Sequence, residues 1–116
     1  PVSCAAGMAS LKVILGSNLV DNCVTISQAI KKNLKHPSIK EIRGDGLLLA
    51  IELTHKEYVG YVVQHAPEQG LLLDYFLFND SSFRIAPPLT ITIDEAVEGC
   101  TRVISLLELA VKNVDL

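Results

Sequence analysis

The chain has 116 residues and a formal net charge of −3, from 10 Lys and Arg against 13 Asp and Glu. That length holds one domain with one core, and that charge excludes the basic footprint of a nucleic-acid-binding domain. Apolar residues make up 49% of the chain and mean hydropathy is +0.36, a surplus that predicts some apolar surface covered by protein outside this chain. The longest apolar runs, such as "LLLAI", are far too short to span a bilayer.

In chain order, residues 2–15 read as a helix. Cys4, Ala5, Ala6, Gly7, Ala9 and Ser10 make it small on nearly every side, so several of its faces admit close neighbours. Gly16 suits the residue that follows a helix and Ser17 the N-cap of the next. In that second helix Leu19, Cys23, Ile26, Ile30 and Leu34 recur at three and four residues, and His36-Pro37 ends it. The nearby Lys31, Lys32, Lys35 and Lys40 have no interleaved aromatics and read as a solvated helix end whose charges complement the helix dipole.

"IKEIRGDGLLLAIEL" then reads as two strands, Ile39 to Arg43 and Leu47 to Leu53, around a glycine turn. Residues 55–69 read as a helix that Pro67 ends or kinks and Gly70 closes. "LLLDYF" is the third strand, "FLFNDSS" a turn and "FRIAP" the fourth strand. The last helix opens on a capping box, Thr92 and Glu95. Ala96, Val97, Cys100, Val103, Ile104, Leu107 and Val111 then form its apolar stripe. The order α-α-β-β-α-β-β-α predicts a two-layer α+β domain over residues 1–116, with a small, mainly antiparallel four-stranded sheet and helices mostly on one face.

Cys4, Cys23 and Cys100 form no CxxC pair, and His36, His55 and His65 are dispersed. The residues therefore predict no metal site, and buried thiols that suit a reducing cytoplasm. Arg84 stands out, a cation between Phe83 and Ile85 in an apolar run. A lone strand arginine is more often a surface or ion-paired residue than a ligand. Strand alternation puts Phe83 and Ile85 on one face and Arg84 on the other.

Three segments come together in order and spacing: "PVSCAAGMASLKVI", "IRGDGLLLAIEL" and "GLLLDYFLFNDSSFRIAPPLTITIDEAVEGC". Together they resemble the C-terminal small domain of class III, ornithine/acetylornithine-type, pyridoxal-phosphate aminotransferases. The resemblance implies a large domain outside this chain that carries the Schiff-base lysine and holds pyridoxal 5'-phosphate. It implies amino-acid and 2-oxo-acid substrates, a homodimer and a cytoplasmic enzyme. It leaves this chain with no catalytic and no cofactor-binding residue, and unable to form the Schiff base or turn over alone.

The resemblance also assigns Arg84. In the motif Arg84-Ile85-Ala86-Pro87-Pro88-Leu89 the arginine grips the substrate carboxylate, a task that suits a planar, permanently charged fork. Arg43 matches a recurrent family arginine, read here as structural, pinning the hairpin or an interdomain contact. Gly44 and Gly46 are turn glycines. Tyr75, Phe76 and Phe78 are core or a wall of the site, with core preferred, and Asp74 pairs with a nearby cation or faces solvent. "DYFLFND" departs from the glycine- or asparagine-rich turn of many relatives. A different reading of the same elements is a small amino-acid-binding regulatory module, or an interaction domain, without chemistry.

Overall fold

The structure, a computed structural model, describes residues 1–115. Helices α1 (Val2–Gly16) and α2 (Leu19–Asn33) precede strands β1 (Ile39–Arg43) and β2 (Leu49–Leu53). Helix α3 (Lys56–His65) runs into a 3-10 turn, Ala66–Gln69. Strands β3 (Asp74–Phe76) and β4 (Asn79–Ile85) and helix α4 (Ile93–Asn113) complete the chain. The four strands form one sheet in the order β1-β2-β4-β3, and every neighbouring pair is antiparallel. The expected α+β, two-layer architecture and element order are what the chain adopts.

The sheet has an inner and an outer face. Leu49, Ile51 and Leu53 alternate inward from β2, and Phe83 does so from β4. Against them pack Ile26 and Ile30 of α2, Val59 and Val62 of α3, and Cys100, Val103, Leu106 and Leu107 of α4. On α4 the buried residues are Ala96, Cys100, Val103, Leu106, Leu107 and Ala110. Val111, expected on this stripe, is 48% exposed, because one further residue rotates it about 100° from the inward-facing Ala110. Thr92 caps the helix as expected: its Oγ1 accepts from the Glu95 N–H at 3.3 Å, while the Glu95 carboxylate accepts from the Thr92 N–H at 2.8 Å.

Helix α1 differs in kind from α4. It is apolar around its circumference and has no buried residue, leaving Met8, Leu11, Val13 and Leu15 exposed. A helix apolar all round belongs in a protein interior. No single described helix is long and apolar enough to cross a membrane; α1 and α2 reach that length and composition only jointly, and they are bent by 69°. Gly16 is the last residue of α1 rather than the one beyond it, and Asn18, not Ser17, stands at the N-cap of α2.

Two other boundaries shift for physical reasons. Strand β2 begins at Leu49 rather than Leu47, because Leu47 turns into the core before the ladder starts. Gly44, with φ of +113°, permits this loop: a Cβ there would stand 2.2 Å from the Leu48 carbonyl oxygen. The β3–β4 connection is also tighter than "FLFNDSS" implied. Phe76 pairs with Asn79, so only Leu77 and Phe78 form the turn, and Asn79 to Ser82 join β4. Ladder pairing at both ends overrides the turn preference of these polar residues: Asn79 lies opposite Phe76 of β3 and Ser82 opposite Glu52 of β2.

Candidate functional site

The outer face of the sheet carries the polar chemistry. Register pairs Arg43 of β1 with Ala50 of β2, Ala50 with Arg84 of β4, and Arg84 with Asp74 of β3. These four residues form one row across the sheet. The next row joins Glu41, Glu52 and Ser82. Two arginines thus stand on either side of an alanine, their backbones about 10 Å apart, two strand spacings. The alanine methyl leaves the space between them open.

The two arginines are held differently. Arg43 donates to Glu41 at 2.9 Å and also to Glu52, and its Nη2 lies 3.5 Å from the Ser82 hydroxyl two strands away. Glu52 accepts a third charged contact, from Lys40 Nζ at 2.6 Å. The bonds from Lys40, and then from Arg43, hold the Glu52 carboxyl down at about 2, against an ordinary 4.5. The same carboxylates, Glu52 foremost, raise the Arg43 pKa. Arg43 is therefore consumed by a network that ties β1, β2 and β4 together, in line with its reading as a structural arginine.

Arg84 donates from Nη2 to a carboxylate oxygen of Asp74, its one ion-pair partner among the described residues. The pair is open to solvent, with 41% of the Arg84 side chain and 64% of the Asp74 side chain exposed. Sequence reasoning left Asp74 between pairing and solvent; the structure gives it both. Arg84 faces out while Phe83 beside it is wholly buried, so the cation in the apolar run incurs no burial cost.

The backbone that carries Arg84 is braced from behind. Pro87 and Pro88 restrict the chain just past β4. The Asn22 side chain of α2 then donates to the Leu89 carbonyl at 3.0 Å and to the Ile91 carbonyl at 3.2 Å. The capping box at Thr92 follows at once. A stiff strand end is a good mount for a group that must orient a ligand. Asn22 was not legible in the sequence, since its partners lie 67 and 69 residues away.

Arg84 and Asp74 open onto a cleft of about 520 Å³ bounded by Tyr75, Phe76, Leu77 and Phe78. The core reading of these aromatics fails for Tyr75, 51% exposed, and for Phe78, 99% exposed. Phe78 occupies the two-residue turn and Tyr75 an edge strand, so neither has a layer above it. They are a wall beside Arg84. A second cleft, about 400 Å³, lies between α4 and residues 70–73 and 85–88. It is lined by Leu71, Ile85, Pro88 and Val103, and Cys100 stands in it with its thiol pKa pushed up by burial. Its carboxylate, Glu95, is committed to the helix cap, which leaves the groove apolar.

Pyridoxal phosphate, which the sequence resemblance implies, does not fit the residues described. Every lysine is exposed. Lys31 is engaged with the Gly44 carbonyl, Lys40 with Glu52 and Lys56 with Asp80. None of them lines the cleft beside Arg84. Among the described residues, no group of three or more His, Cys, Asp or Glu is placed to hold a metal ion.

Comparison with known proteins places this geometry in a family. The family model for class-III aminotransferases matches residues 1–107. Ornithine aminotransferase 2 of Staphylococcus aureus is 39% identical over 98 residues, a match covering 82% of this chain and 24% of that protein. The structure of the ornithine aminotransferase from Toxoplasma gondii superimposes with a TM-score of 0.82 at 30% identity, over 97% of this chain and 28% of that one. A Bacillus anthracis aminotransferase shares the fold, with a TM-score of 0.84 at 24% identity. The chain spans about a quarter of the length of the relatives it matches. With the family match running through both arginines and most of α4, the chain belongs to the class-III aminotransferases.

Proposed function

We propose that this chain is the small C-terminal domain of a pyridoxal-phosphate-dependent transaminase, and that Arg84 binds the carboxylate of its substrates. The intact enzyme moves an amino group from an amino acid or amine to a 2-oxo acid. When bound, the cofactor supplies the electron sink for that transfer, and the protein's large domain holds it. The observation that carries the reading is the contrast on the sheet's outer face. Arg43 is locked among Glu41, Glu52 and Ser82, whereas Arg84 keeps a single exposed partner.

Arg84's part is recognition and orientation. Its guanidinium offers parallel N–H donors to a carboxylate. Fixing that end of the substrate on a braced strand sets the direction in which the rest of the molecule points. The apolar circumference of α1 supports a larger assembly: Met8, Leu11, Val13 and Leu15 need cover, which the large domain and a second subunit of a cytoplasmic homodimer supply.

The test is the full-length enzyme with Arg84→Ala and Arg84→Lys. Loss of the bidentate contact lowers kcat/KM for carboxylate-bearing substrates about 10²-fold. Lysine restores only part of it, and cofactor absorbance stays at the wild-type level. Unchanged kinetics in Arg84→Ala removes Arg84 from the site.

A further inference from the structure

Arg84 is not presented empty. Asp74 lies directly opposite it in the β3–β4 ladder, and its carboxylate accepts from Arg84 Nη2. The other carboxylate oxygen of Asp74 accepts from the Tyr75 backbone N–H at 2.8 Å. Asp74 thus gives Arg84 one oxygen and keeps the second on its own strand. The mount is weak. Strand β3 is a three-residue edge strand whose register breaks between Tyr75 and Phe76. More than half of the Asp74 side chain is exposed. On the far side of Arg84 the paired residue is Ala50, which has no group to compete.

We propose that Asp74 is a resident competitor for the substrate-binding arginine: an incoming carboxylate must displace it, and it lowers the enzyme's affinity for carboxylates by doing so. This rests on the reading of Arg84 as the carboxylate grip. The exchange replaces one carboxylate by another on the same guanidinium, so no proton moves and the charge at Arg84 stays balanced. Release is cheap, because exposed ion pairs are weak and the Asp74 carboxylate swings into water. The incoming group gains what Asp74 does not take, a two-oxygen contact with the fork. A residue that aimed Arg84 instead of competing for it would have the opposite effect, since its loss would weaken carboxylate binding.

The experiment measures the inhibition constant of propionate, as a competitor of the amino-acid substrate, in the full-length holoenzyme. Asp74→Asn and Asp74→Ala each tighten propionate about two- to fivefold, the scale of one exposed ion pair. Arg84→Ala weakens it about 10²-fold, the loss of a charged two-bond contact. Added to Arg84→Ala, Asp74→Asn then has no effect. If both Asp74 variants leave propionate unchanged or weaken it while Arg84→Ala still weakens it strongly, Asp74 is not a competitor and the Arg84 reading survives. If Arg84→Ala leaves propionate unchanged, both readings fall.

Discussion

Arg43 and Arg84 stand in one row of one sheet face, separated by Ala50, and the chain treats them in opposite ways. At the Arg43 corner, two carboxylates and a serine engage the guanidinium, and Lys40 joins one of those carboxylates. At the Arg84 corner a single exposed aspartate faces it, beside an open cleft. The difference teaches where to look for a ligand. An arginine whose donors are spent across three strands holds the sheet, while an arginine with one replaceable partner is available to something else.

The corners share a floor, and removing it breaks the comparison most severely. Phe83, wholly buried beneath the sheet, lies between Arg84 and Ser82 in β4. Phe83→Ala costs about 3–5 kcal/mol of unfolding free energy, read from denaturant titration. Arg84→Ala, at the next residue, stays within about 1 kcal/mol on the same assay. Equal losses would mean that Arg84 is structural after all.

Gly44→Ala disturbs the Arg43 corner alone. Its positive φ and the 2.2 Å approach of the Leu48 carbonyl leave no room for a Cβ, so the cost exceeds about 1 kcal/mol. Thr92→Ala loosens the other end, where α4 follows the Arg84 strand. Loss of the cap lowers stability by about 1 kcal/mol, visible as a lower thermal midpoint.

The finest probe is pH. Glu52 ionises at about 2 in the folded chain against an ordinary 4.5. Its network is therefore fully stabilising above pH 4.5 and fades as pH falls from there towards 2. Glu52→Gln flattens that part of the stability profile, in an acid titration followed by circular dichroism.

Much of this was legible in the sequence, and what was not has identifiable causes. The capping box, the α4 stripe near Cys100 and the outward turn of Arg84 follow from local spacing, and the structure contains them. Local pattern also placed the hairpin glycines. The pairings that distinguish the two arginines are not local. Arg43 reaches Ser82, 39 residues on, and Asn22 reaches the segment after Pro87-Pro88. Such contacts depend on sheet order and register, which turn residues alone do not set. "FLFNDSS" illustrates this: its polar half signals a turn, yet pairing of Asn79 with β3 and of Ser82 with β2 draws Asn79 to Ser82 into the strand and leaves Leu77 and Phe78 at the tip. Tyr75 and Phe78 read as core by hydropathy, and only the edge position of β3 shows them to be a wall.

The most direct measurement compares Arg43→Ala and Arg84→Ala side by side in the full-length enzyme, each scored for unfolding free energy and for KM of a carboxylate-bearing substrate. The account predicts that Arg84→Ala raises KM strongly and leaves stability near wild type, while Arg43→Ala lowers stability and has the smaller effect on KM. The reverse pattern, or the same pattern for both, would contradict it.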